Sequence, residues 1–175
     1  VILGGASIPA GQTALQDVKR AVDMIFNHPN VGPFVARRLI QRLVTSNPSA
    51  AYVFRVASKF DNNGLGVRGD LSAVVKAILM DPEARNASPA GTGGKLSEPI
   101  LRLTRLLRAF PKAPSDNPPT LGRYVLANVG EDFVQSPLQS PTVFNFFHPD
   151  YRPPGGLMDA ALTAPEFEIS TELSR

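Results

Sequence analysis

The sequence predicts an all-α protein, a compact bundle of five to six helices with an irregular C-terminal wrap rich in proline and aromatic residues. Three observations carry that expectation. Apolar residues recur at helical spacing in successive stretches, no stretch alternates strictly as a half-buried strand does, and Pro, Gly, Asn and Asp punctuate the gaps. Short connections favour antiparallel neighbours, and 43% hydrophobic residues over 175 positions supply enough material for a core.

Residues 1–12 read as an extended lead-in. Thr13-Ala14-Leu15-Gln16 then fits a capping box, in which hydroxyl and amide each satisfy a free N–H of the first turn. The helix it opens runs to about Asn27 on a stripe of Ala14, Val18, Ala21, Val22, Ile25 and Phe26, with Pro29 just past the stop. The second helix is read from His28 to Pro48. At about 100° per residue, Val35, Ala36, Leu39, Ile40, Leu43 and Val44 fill one half of it, while Arg37, Arg38, Gln41, Arg42 and Thr45 fill the other. Phe34 alone stands among the polar residues.

Asn47-Pro48-Ser49 breaks the chain and starts a third helix, with Tyr52, Val53, Val56, Ala57 and Phe60 in register and an end near Asp61. DNNGLGVRGD is turn chemistry, and Asp70 is placed to cap a fourth helix carrying Leu71, Val74, Val75, Ile78 and Leu79, closed by Asp81-Pro82. After a flexible connection at 86–94, Ser97 is the expected cap of a fifth helix with Pro99 in its first turn. Ile100, Leu103, Leu106, Leu107 and Phe110 gather on one side of it, and Arg102, Arg105 and Arg108 on the other. Residues 111–119 read as a Pro-rich linker, and Thr120 to about Val134 as a sixth helix weakened by Gly122 and Gly130. The wrap spans 136–165, anchored by Val143, Phe144, Phe146 and Phe147, and a last short helix begins at Pro165. Residues 1–175 are expected to form one helical domain. The opening VILGGASIPAG has neither an initiator Met nor a signal-peptide layout, so the chain reads as the C-terminal part of a longer protein.

Composition narrows the chemistry. With no Cys, a disulfide framework, a thiolate metal site and a cysteine nucleophile are excluded. The balance of 18 basic against 15 acidic residues is mild, so nucleic acid is not an expected partner. No run approaches the roughly 20 apolar residues of a membrane span. GTGGK at 91–95 departs from a phosphate loop at Pro89 and Leu96 and reads as linker. Asp61 to Ser72 imitates a calcium loop through Asp61, Asn63 and Gly66, but Leu65 stands where an oxygen ligand belongs and Ser72 where the bidentate Glu belongs. No G-x-S-x-G is present.

His28 and His148 are the two histidines, and with Asp150 or Glu98 they would suffice for an open metal site. The reading preferred is that each ends an element, so no metal and no cofactor is expected. The two arginine faces, Arg37, Arg38 and Arg42 on one helix and Arg102, Arg105 and Arg108 on another, suit a carboxylate, phosphate or anionic polymer. The plainer alternative, favoured because surface pairing is weak, is a pair of solvated faces matched with Asp17, Asp23, Glu83 and Glu98.

Four stretches, HPNVGPFVARRLIQRLVTSNP, RGDLSAVVKAILMDPEAR, GKLSEPILRLTRLLRAF and SPTVFNFFHPDYRPPG, together resemble the C-terminal portion of the bacterial domain-of-unknown-function 1800 family. The resemblance implies an exported protein, a periplasmic or cell-envelope location, and a partner encoded by an adjacent gene for another uncharacterised exported protein. It implies no activity. The family's marked polar positions fall on His28, Asn30, Arg38, Gln41, Arg42, Asp70, Lys95, Glu98, Arg102 and Asn145, and Ser97 departs where Arg is expected.

Two functional expectations follow. The first is a helical binding or assembly module acting through the second and fifth helices, with Arg37, Arg38, Gln41, Arg42, Lys95, Glu98, Arg102 and Arg105 as binding candidates. Beside them stands a candidate polar cluster of His28, Asn30, Asp70, Asn145, His148 and Asp150. The second is a hydrolase, metal-dependent or not, that joins His28, Glu98 and Asp150 to residues upstream. Oligomeric state is left open by the sequence.

Overall fold

A computed structural model of the chain describes residues 7–86, 93–116, 119–120, 122, 124 and 128–170. The protein is helical: α1 (Ala14–Phe26), α2 (Val31–Leu43), α3 (Ala50–Asp61), α4 (Leu71–Met80), α5 (Pro82–Arg85), α6 (Pro99–Ala109), α7 (Val129–Phe133) and α8 (Gly156–Asp159), with a 3₁₀ helix at Pro165–Ile169. None of the described helices is long and apolar enough to cross a membrane. Contacts divide the chain into two units, Val1–Pro89 and Ala90–Arg175.

In the first unit, α2, α3 and α4 enclose the core. Ala36 and Ile40 from α2, Tyr52, Val56, Ala57 and Phe60 from α3, and Val74 and Ile78 from α4 are buried together. These are positions the helical periodicity assigns to the core, and each large side chain contributes about 1.5–3 kcal/mol on leaving water. Gly32 of α2 is buried against α3, where an added Cβ would meet Asp61 Oδ1 at 2.9 Å and Ala57 O at 3.5 Å. The Tyr52 hydroxyl donates to Ile78 O at 2.7 Å, and burial, ahead of the charges of Asp81 and Glu83, pushes its pKa up to about 12.

The local start signals are present as read. Gln16 N donates to Thr13 Oγ1 and Thr13 N to Gln16 Oε1, which completes the capping box of α1. Ser49 caps α3 through Tyr52 N, and Asp70 Oδ1 caps α4 through Ser72 N and Ala73 N at 3.0 and 3.1 Å. A hydrogen bond from Asn63 and the two backbone donors hold the Asp70 carboxyl below its ordinary range. Asp81 closes α4 and also caps a short α5 that the sequence did not announce, accepting from Glu83 N at 2.9 Å.

Three expectations for this unit are corrected. The His28–Pro48 stretch is not one helix: residues 28–30 form a turn, with Val31 N bonded to His28 O at 3.0 Å, and α2 ends at Leu43. The apolar stripe of α1 is not covered, for α1 has no buried residue and Leu15 is 79% exposed. The end of α1 is tied down by Phe26 against Phe60 at 5.9 Å between ring centres. Leu71 and Leu79 of α4 are exposed, so its buried face narrows to Val74 and Ile78.

In the second unit, Ser97 does not cap α6. Its Oγ accepts from Arg105 Nη1 at 2.7 Å, and Glu98 occupies the N-cap position. The expected linker at 111–119 enters a two-residue antiparallel pairing, Ser115 with Thr120 and Asp116 with Pro119. Thr120 is therefore strand, and the expected sixth helix shrinks to the five residues of α7, ended by Val134 in the left-handed region at φ 55°. Positions 121, 123 and 125–127 of that expectation lie outside the described residues. The wrap is irregular as expected, but its anchors divide: Phe147 is buried, whereas Val143 is 95% exposed and Phe144 is exposed as well. The helix at Pro165 exists as a 3₁₀ turn, where Thr163, Ala164, Glu166, Ile169 and Ser170 are buried.

Candidate functional site

The polar half of α2 is more organised than a solvated face. Gln41 and Thr45 are buried, as is Ser46 just beyond the helix. Arg38 and Arg42 are half-buried and Arg37 is exposed. A buried amide must be satisfied at both ends. Gln41 achieves this by accepting from Arg38 Nη1 at 2.9 Å and donating to Ser46 O at 3.1 Å. Arg38 in turn stands over the Phe34 ring, 5.4 Å from its centre, within cation–π range. Phe34, Arg38, Gln41 and Ser46 thus form a continuous ladder along one side of α2, and its outer rung, Phe34, is 50% exposed. Leu43, which periodicity assigns to the core, is 47% exposed. The reading of α2 as a solvated arginine face is therefore corrected, because its middle is buried and cross-bonded.

The candidates of the second unit separate into different jobs. Lys95 Nζ pairs with Glu166 Oε1 at 2.9 Å, and both side chains are largely buried. Glu98 is buried and accepts from Gln135 Nε2 at 2.8 Å, while Gln135 Oε1 accepts from Ile100 N at 3.2 Å. Gln135 therefore serves the first turn of α6 in place of a local cap. Arg102 is half-buried, and Arg105 and Arg108 are exposed, so the arginine face of α6 is split.

The candidate polar cluster draws residues from both units, and within each they take separate places. In the first unit, His28 Nδ1 accepts from Asn30 N at 3.2 Å within the turn, Asn30 ends that turn at the N-cap of α2 without a side-chain bond, and Asp70 caps α4. In the second unit, Asn145 is a turn residue at φ 79°, a conformation Asn tolerates. Its N–H donates to Thr142 O at 3.1 Å. His148 pairs with Glu168, and Asp150 is exposed and acts on His148 through its charge. Among the described residues no three or more His, Asp and Glu side chains are grouped to hold a metal ion.

The loop that imitates a calcium site spends its oxygens internally. Asn62 Oδ1 accepts from Gly64 N and Gly66 N, Asn63 Oδ1 from Leu65 N and Val67 N, and Asn63 Nδ2 donates to Asp70. Asp61 is paired with Arg68. Sequence reasoning missed the weight of Arg68. Its guanidinium lies 5.6 and 5.0 Å from the Phe26 and Phe60 ring centres, and it donates to Phe26 O at 3.1 Å and His28 O at 3.3 Å, closing the C-terminal end of α1. Also missed was the Arg55–Asp81 fork, at 2.7 and 2.8 Å, which joins α3 to the α4–α5 corner beside a Ser49–Glu83 pair. The positions of Gln135 and Glu166 carried no local signal, since each finds its partner far along the chain.

These features define a helical protein in which most buried polar groups hold elements together, and in which one aromatic-and-arginine ridge on α2 reaches solvent. The chain belongs to the family described as Protein of unknown function (DUF1800), whose model matches residues 1–174, in agreement with the four motifs. No curated protein and no solved structure matches it.

Proposed function

We propose that the chain is a helical binding or assembly module of an exported bacterial protein, and that it engages a protein partner with an anionic surface through the ridge on α2. The observation that carries this reading is the exposed Phe34 ring stacked with Arg38, which is itself held by the buried Gln41. Ordered aromatic and arginine side chains supply most of the binding free energy at protein interfaces, because little conformational freedom remains to be lost. Arg37 adds an exposed positive charge, and α2 carries no acidic residue between Val31 and Leu43. The partner of choice is the exported protein encoded beside members of the family, which the resemblance implies. Arg105 and Arg108 of α6 are exposed and offer a second basic surface.

Phe34→Ser combined with Arg37→Ser is the informative variant, because both side chains are exposed and their loss leaves the core intact. A hot-spot role predicts a loss of at least about 2 kcal/mol, roughly thirtyfold in affinity, with little change in melting temperature. Titration of the purified partner against a folded double variant reads this out, and undiminished affinity contradicts the proposal.

A further inference from the structure

One carboxylate grips His148 twice. Glu168 Oε2 accepts the His148 backbone N–H at 2.6 Å, and Glu168 Oε1 lies 2.8 Å from His148 Nδ1. The two residues come from different segments. His148 opens a turn closed by Tyr151 N on His148 O at 3.2 Å, and Glu168 sits on the 3₁₀ helix Pro165–Ile169. A second tie, Ala164 N to Tyr151 O at 2.9 Å, runs between the same two segments. The exposed Phe144 ring stands 6.4 Å from the imidazole on the neighbouring turn.

We propose that Glu168 and His148 form a pH-sensitive latch that fastens the turn at residues 148–151 to the 3₁₀ helix while the imidazole is charged and loosens it once the imidazole loses its proton. Among the described residues, the charged groups acting on the imidazole are Glu168 from the 3₁₀ helix and Asp150 from its own turn, both acidic. The hydrogen bond to Glu168, then its charge, with Asp150 adding less, raise the His148 pKa above the ordinary 6.5. A raised value means that the folded form holds its proton more tightly. The latch is therefore complete below that ordinary value and is lost as pH rises through the raised one. Above it a neutral imidazole still donates through Nδ1 to the carboxylate, but the attraction between imidazolium and carboxylate is gone. The same carboxylate fixes Nδ1 as the protonated nitrogen of the neutral ring.

The test is nuclear magnetic resonance on the labelled 175-residue chain, following the His148 imidazole and the exchange protection of its backbone amide from about pH 5 to pH 9. The latch predicts that protection, corrected for intrinsic exchange, falls roughly tenfold across the imidazole titration. In Glu168→Gln the imidazole pKa returns toward its ordinary value and protection is low at every pH. Should that variant fail to fold, His148→Gln gives the same reading, with protection that no longer depends on pH. Flat protection in the unaltered chain, or an imidazole titration unmoved by loss of Glu168, overturns the proposal.

Discussion

At the scale of single residues, Gly69 and Gln135 show how much depends on positions with little chemistry of their own. Gly69 sits at φ +78°, and a Cβ added there would stand 2.6 Å from the Phe26 ring. Gly69→Ala therefore meets two penalties, a left-handed backbone and a clash with the ring that ties α1 down, and is expected to cost about 1–3 kcal/mol in urea denaturation. Gln135→Ala removes the acceptor of Ile100 N and one donor to the buried Glu98, for a loss of about 1–3 kcal/mol. Equal denaturation midpoints for variant and parent would show that water replaces the glutamine freely. Caps such as Thr13, Ser49 and Asp70 are legible in the sequence because acceptor and donor lie within three residues. Arg68, Gln135 and Glu166 are not, because their partners are brought together only by the fold.

At the scale of elements, periodicity located α1, α3, α4 and α6 closely but did not say which faces are covered. The stripe on α1 is as regular as the one on α3, yet α3 packs its stripe against α2 and α4, while most of the α1 stripe is exposed. Periodicity records what a helix is able to bury, and neighbours decide what it does bury. On α2 the misreading ran the other way, for Gln41 and Thr45 have polar side chains and are buried nonetheless. The α4–α5 corner offers a pH test. The Arg55 fork, ahead of the Glu83 N–H, holds the Asp81 carboxyl below its ordinary 3.8. A depressed value contributes stability above the ordinary one and loses it as pH falls through the depressed one. Asp81→Asn is thus expected to be about 1–3 kcal/mol less stable than the parent near neutrality, with the gap closing in acid. A gap of constant size from pH 7 to pH 2 would contradict the role given to the fork.

For the molecule as a whole, the helical class and the family were legible, the first from spacing and the second from four ordered motifs. The candidate site was legible in part. Arg38, Gln41 and the stray Phe34 were visible on one helix, but their joining into a ladder was not, since that depends on Gln41 reaching Ser46 O past the helix end. The buried pairs Lys95–Glu166 and Glu98–Gln135 place two of the candidate binding residues in structural work. The exposed ridge of α2 remains as the surface proposed for a partner. The direct measurement is titration of the purified proposed partner against the parent chain and the Phe34→Ser, Arg37→Ser variant, with both melting temperatures recorded. A stable variant with affinity reduced about thirtyfold is the expected result, and a stable variant that binds as tightly as the parent contradicts the assignment of α2 as the binding surface.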